Sequence, residues 1–229
     1  MTKRIVHIVL LESSLELVPF EIAGHSSVIR SAKKRGKKPS EILLDKSLHY
    51  HAMKKLREAE KRGRPDIVHV SLLEALESPL NKEGFLRIYV HTYPGDVIFI
   101  DPSTRIPRNY NRFVGLMEQL LTIGKVPPDT AKPLMYVKTM RIEDLIENVN
   151  THGLILLRET GERKKPIEVV EYAIKNNYLI GIGGFPHGDF SEKLIKISKA
   201  EFSIYDRTLA TWIVLSRIIV AAEAYYGLL

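Results

Sequence analysis

The chain has no cysteine among its 229 residues. That excludes disulfides, thiolate metal sites and cysteine nucleophilic catalysis, and it fits a reducing cytoplasm, where the protein is expected to act. It also lacks any uncharged apolar run of the ~18 residues that a membrane helix needs. The nearest candidate, residues 209–222, is interrupted by Arg217. The apolar run from Ile5 to Leu11 leads into Glu12 rather than a small-residue cleavage site, so a buried strand is expected there and not a secretion signal. There is no internal repeat and no low-complexity tail. His49 and His51 have no carboxylates at ligand spacing, so no metal site is expected, and no Ser-His-Asp arrangement is suggested.

Apolar residues and positive charge are plentiful. At 45% hydrophobic the chain can fill the core of one large domain spanning residues 1–229. Its net charge of +7 is unevenly spread: between Arg30 and Arg64 there are 13 Lys/Arg against 4 Asp/Glu. A basic elaboration at about 30–64 on a nearly neutral body is the footprint of a polyanion binder. The alternative is a solvated helix face. Within it the 33–38 run, with Gly36 and Pro39, reads as a loop between two basic helical segments.

Short β-rich apolar runs predict strands at 4–11, 85–91, 97–100, 134–138, 153–157 and 178–182, with a weaker one at 201–205. Between them, helical spacing predicts helices at 48–62, 67–76, 112–121, 142–150, 167–175 and 208–226. Pro65 and Pro166 suit first helical turns. This alternation predicts an α/β fold with a mostly parallel sheet. The last helix is apolar most of the way round, which points to packing inside the chain on one side and a partner subunit on the other. Phe113, Leu116, Met117 and Leu120 form a second stripe expected to share that dimer interface.

Three constellations carry candidate chemistry. The stretch from Gly181 to Gly188, GIGGFPHG, follows an apolar strand but matches neither the dinucleotide fingerprint nor the phosphate-loop pattern, since Pro186 breaks the first and Asp189 the second. It reads as a glycine-lined ligand loop or as a plain turn. Arg105, Arg108 and Arg112 are spaced by three and four, so that with a helix starting near Asn111 at least two could project from one side to grip phosphates, with Tyr110 available to stack on a base. The other reading pairs them on the surface with Glu118 or Asp101. Asp66 lies two residues from Arg64, close enough to orient its guanidinium; taken alone, an acid at a helix start is more often structural.

Together these pieces resemble one family. RPDIVHVSLLEALESPLNKEGFLRIYVHT (64–92), RIPRNYNRFVGLMEQLL (105–121), GGFPHG (183–188) and FSIYDRTLATWIVLSRIIVAAEAYYG (202–227) occur in the order of the SPOUT-class pseudouridine-N1 rRNA methyltransferases of small-subunit ribosome biogenesis. With KKRGKKPSEILL (33–44) the match covers nearly the whole chain, and the short length looks like the archaeal branch. The resemblance implies a SPOUT-type sheet with a C-terminal deep trefoil knot, and S-adenosylmethionine bent among three knot loops. Matching positions are Arg158 and Thr160; Gly183 and Gly188; and Phe202, Ser203, Ile204, Tyr205 and Asp206 with Leu209. The 158–161 loop departs from the family pattern, and Thr208 stands where a proline is common.

The resemblance further implies that Arg64, Arg105, Arg108 and Arg112 contact RNA, with Arg64 and Asp66 at the catalytic position and Asp66 steadying Arg64. It reverses the structural reading of that pair. Implied partners are small-subunit rRNA, a second copy of the chain and pre-ribosomal proteins. The competing expectation is a noncatalytic rRNA-binding assembly factor of the same fold, and a narrower one is an acceptor other than pseudouridine.

Overall fold

Four consecutive residues at the centre of the first strand, Ile8, Val9, Leu10 and Leu11, have no solvent exposure. A strand buried on both faces belongs in the middle of a sheet covered by helices on each side. The computed structural model, which describes residues 4–229, places it there. In chain order the elements are β1 (Val6–Ser13), α1 (Ser26–Lys34), α2 (Lys46–Met53), α3 (Pro65–Glu77), α4 (Pro79–Lys82), β2 (Leu86–Thr92) and β3 (Asp96–Ile100). Then follow α5 (Tyr110–Ile123), β4 (Lys125–Val126), β5 (Met135–Thr139), α6 (Ile142–Asn148), β6 (Gly153–Arg163) and α7 (Pro166–Asn176). The chain closes with β7 (Tyr178–Gly183), α8 (Glu192–Ile197), β8 (Ser198–Ser203) and α9 (Thr211–Tyr225).

The eight strands form one sheet in the order β4-β5-β3-β2-β1-β7-β6-β8. The β1–β2, β1–β7, β7–β6 and β6–β8 pairings are parallel, and the β2–β3, β3–β5 and β5–β4 pairings are antiparallel. Alternation along β1 divides the core. Ile8 and Leu10 face Val68, Leu72, Phe113 and Leu215 of α3, α5 and α9. Val9 and Leu11 face Ile142, Leu145 and Leu194 of α6 and α8. The α/β fold with a mostly parallel sheet is therefore as expected, and Pro65 and Pro166 do open helices.

Several boundaries differ. The expected helix at 48–62 stops at Met53. Residues 54–62 carry no apolar stripe, and distant partners decide their course. Arg62 turns inward to grip Glu16 with two hydrogen bonds of 2.7 and 2.6 Å, and Lys61 turns to Glu12 at 3.2 Å. Glu58 and Gly63 take left-handed conformations (φ 49° and 71°) to allow this. The strand expected at 153–157 extends to Arg163 through an irregularity between Leu157 and Glu162, and the weak strand at 201–205 lies instead at Ser198–Ser203. The short helices α4 and α8 went unread in the sequence.

The segment between β1 and α3 has a small core of its own, including Val18, Val28, Ile42, Leu44 and Met53. Glu118 of α5, whose side chain is fully buried, ties it down by accepting from Arg35 (2.8 Å), Lys37 (2.7 Å) and the Leu43 N–H (3.1 Å). His49 is completely buried here. Phe113, Met117 and Leu120 are buried within the chain's own core, so the α5 stripe expected at a dimer interface is already covered. On α9, Ile213, Val220 and Tyr225 remain exposed.

One partly buried histidine gives the fold a pH dependence. The Nδ1 of His7 lies 3.1 Å from the Tyr89 hydroxyl, and burial, helped by Arg87, lowers its pKa to about 4. Below pH ~6.5 the unfolded chain takes up a proton that the folded chain refuses, so stability falls as pH drops. By pH 5 the loss attributable to His7 is about 2 kcal/mol. Urea denaturation at pH 7 and pH 5 should show this difference in the wild type and a smaller one in His7→Gln.

Candidate functional site

Parallel strands gather loops at their C-terminal ends, and in open α/β sheets ligand sites form there. The ends of β7 and β8 and the irregular stretch of β6 from Leu157 border a cleft of about 440 Å³. Its walls come from three stretches widely separated in sequence: residues 157–160, 182–190 and 202–214. Leu157, Ile182, Phe202, Leu209 and Val214 make part of the lining apolar, while Thr160, Ser203 and Thr208 supply hydroxyls. Thr211, the first residue of α9, donates its hydroxyl to the Gly183 carbonyl at 2.7 Å and joins the second stretch to the third.

The glycines are there for close approach. A Cβ on Gly184 would run into Ser13, whose Cα and Cβ would both lie 2.8 Å away. Gly188 has φ 96°, a left-handed conformation that a side chain would strain. The stretch is thus a tightly supported wall and not a free turn, and no helix begins until Glu192.

Of the ten positions implied for the cofactor, Arg158, Thr160, Gly183, Gly188, Phe202, Ser203, Ile204, Tyr205 and Leu209 line this one cleft. Asp206 does not: its exposed carboxylate pairs with Arg163 at 3.3 Å. Arg158 is held in an ion-pair triad. Its guanidinium donates to Glu201 at 2.5 Å and to both oxygens of Asp189, and these bonds raise its pKa. Phe185, Pro186 and Thr211 also line the cleft. Phe185 lay inside the quoted glycine motif, yet nothing in its spacing marked it as a wall residue.

The second constellation assembles beside α3 and α5. Arg64 precedes the first turn of α3, and Asp66 accepts two hydrogen bonds from it, both at 2.8 Å. These bonds hold the Arg64 guanidinium above its ordinary pKa. The two side chains remain more than a third exposed. His69 reaches the Pro107 carbonyl at 2.7 Å and stacks on Phe113, docking the loop that carries Arg105 and Arg108 against α3. Asn109 caps α5 by accepting from the Arg112 N–H at 3.1 Å.

Arg105, Arg108 and Arg112 are exposed, and none has a salt-bridge partner among the described residues. The surface pairing with Glu118 or Asp101 is not found: Glu118 takes Arg35 and Lys37, and Asp101 accepts from Ser103. Tyr110 is not free to stack on a base. It donates to Asp45 at 2.8 Å and packs with His69 and Phe113. Burial, followed by the Asp45 charge, pushes its pKa well up, so it stays a protonated donor.

The two constellations meet through Lys61. Its Nζ lies 5.0 Å from the centre of the Phe185 ring, three residues before Arg64. No group of His, Asp and Glu side chains suited to a metal ion occurs among the described residues, and no helix there is long and apolar enough to cross a membrane.

The family model described as EMG1/NEP1 methyltransferase matches residues 8–223. The ribosomal RNA small subunit methyltransferase Nep1 of Staphylothermus marinus is 67% identical over 227 residues, covering 99% of each chain. The protein of the same name from Saccharolobus solfataricus is 47% identical, covering 97% of this chain and 98% of its own. The crystal structure of Archaeoglobus fulgidus Nep1 bound to S-adenosylhomocysteine superposes with a TM-score of 0.86 at 40% identity, covering 97% of this chain and 99% of that one.

Proposed function

The chain belongs to the EMG1/NEP1 methyltransferase family, and from that premise we propose that it methylates N1 of a pseudouridine in small-subunit rRNA with S-adenosylmethionine as donor. The observation that carries this reading is the single cleft that collects nine of the ten positions matched to the cofactor loops. Its volume of about 440 Å³ suits a small cofactor. Its apolar wall suits a purine, and its hydroxyls and backbone groups suit an amino-acid end. Leu157, Phe202 and Leu209 would enclose the base, and Thr160, Ser203 and the 183–188 backbone the polar parts.

The donor supplies an electrophilic methyl group on a sulfonium. In the transfer the bond from sulfur to methyl breaks as the bond from N1 to methyl forms, and the N1 proton is lost. The protein's task is positioning in a water-poor site. Arg64, fixed by Asp66, would hold the target nucleotide. Both oxygens of Asp66 are engaged by Arg64, which favours an orienting role for it over that of a base. Arg105, Arg108 and Arg112 would grip the RNA backbone. In a deep trefoil knot the C-terminal segment would pass through an earlier loop of the chain. A second copy would dock on the exposed Ile213, Val220 and Tyr225 of α9.

Mass analysis of small-subunit rRNA incubated with the protein and a labelled methyl donor tests the reading. Label at N1 of pseudouridine supports it. Label on unmodified uridine moves the acceptor, and RNA that is bound but never labelled favours the noncatalytic assembly factor. Each of Arg105→Ala, Arg108→Ala and Arg112→Ala is expected to reduce the salt slope of RNA binding by about 0.7–0.9. Filter binding across a salt series measures it, and unchanged slopes return these residues to ordinary surface charge.

A further inference from the structure

A lysine at a protein surface normally threads its ammonium out to water. Lys61, in the last turn of the basic elaboration, does not: it is 6% exposed and points inward. A buried ammonium must be paired to be tolerated. Its Nζ lies 3.2 Å from Glu12 Oε2 and 3.5 Å from Glu58 Oε1. What it packs against is the glycine loop. The ring of Phe185 lies under its ammonium at 5.0 Å, and a Cβ on Gly188 would come within 3.0 Å of its Cε. Phe185 in turn packs so tightly on Gly183 that a Cβ there would lie 3.0 Å from its Cζ.

Glu12 does more than neutralise Lys61. It sits near the end of β1 at φ 47°, a conformation that side chains rarely adopt and that persists where the surroundings impose it. Its N–H donates to His91 Nδ1 at 3.2 Å, and its carboxylate accepts the Ser191 N–H, 3.2 Å from each oxygen. One ion pair therefore joins the ends of β1 and β2, the end of the elaboration and both ends of the 185–191 loop.

We propose that Lys61 and Glu12 are positioning residues for the methyl donor, holding the 185–191 loop and its Phe185 wall in the shape that admits it. The same pair anchors that loop to the end of the basic elaboration at Lys61. The proposal rests on the cleft being the donor site.

Calorimetry with S-adenosylhomocysteine and steady-state methylation test it together. Lys61→Met keeps the length of the side chain and removes the charge. It should raise the dissociation constant of S-adenosylhomocysteine and the donor KM about tenfold, the scale of one partly buried cation–π contact. The kcat at saturating donor should stay near wild type, and Lys61→Arg should recover much of the affinity. Because Lys61→Met leaves Glu12 uncompensated, the double variant Lys61→Met/Glu12→Gln separates folding from positioning. It should regain thermal stability without regaining affinity. Wild-type affinity in Lys61→Met, or affinity that returns with stability in the double variant, overturns the proposal and leaves the pair a purely structural one. Failure of the wild-type protein to bind S-adenosylhomocysteine would instead overturn the reading of the cleft.

Discussion

Arg64→Ala lowers the methyl-transfer rate by about two orders of magnitude while weakening RNA binding far less, if Arg64 places the target nucleotide; displacement of a reacting group by ~1 Å is enough for such a loss. The geometry behind this expectation is the double hydrogen bond to Asp66, which leaves the guanidinium a fixed direction and still more than a third exposed. Arg64→Lys keeps the charge and loses the planar fork, so it should restore RNA affinity but little of the rate. Asp66→Gly should follow the rate loss of Arg64→Ala. It also removes a carboxylate from the first turn of α3, at a cost of about 0.3–1 kcal/mol. Thermal denaturation run beside single-turnover kinetics separates the two effects. A wild-type rate in Arg64→Ala would remove this residue from the acceptor site.

The largest effect on stability is expected at the buried pair between Arg62 and Glu16. Their side chains are 9% and 3% exposed, and the guanidinium also lies 4.6 Å from the centre of the Tyr93 ring. Glu16→Ala leaves that guanidinium buried without its anion, which costs ~3–5 kcal/mol. At ~2–4 °C per kcal/mol for a chain of this size, the thermal midpoint should fall by about 10 °C. Replacing both partners with apolar residues, as in Arg62→Met/Glu16→Leu, should recover most of it, because the penalty comes from the unmatched charge. A midpoint shift below about 2 °C in Glu16→Ala would show that water reaches the site.

These two pairs also mark where the sequence stopped being legible. Arg64 and Asp66 are two residues apart, and a local reading could weigh them. Pro65 and Pro166 fixed two helix starts in the same local way. The strands of the central sheet were visible because burial on both faces demands unbroken apolar runs such as Ile8 to Leu11. The course of 54–62 was not visible, since Lys61 and Arg62 answer to Glu12 and Glu16, some 46 to 49 residues away. In sequence they look like two more charges in a basic run. Arg158 is similar, because its partners Asp189 and Glu201 lie beyond the next strand. The family resemblance brought the cleft residues together where spacing could not, with Asp206 the one position whose side chain points elsewhere.

The strand order has a consequence for how the molecule is made. Strand β1 leaves the ribosome before the other seven strands of the sheet, and one of its parallel neighbours, β2, follows within the first half of the chain. Its other neighbour is β7, Tyr178–Gly183, and until that segment emerges one long edge of β1 offers open backbone donors and acceptors. A parallel strand inserted so late closes a long loop, which slows folding and leaves an adhesive intermediate waiting. All three walls of the cleft come after residue 156. A nascent chain halted before β6 would thus have five of the eight strands and no wall of the cleft, so ligand cannot help the early steps of assembly and can only stabilise later ones.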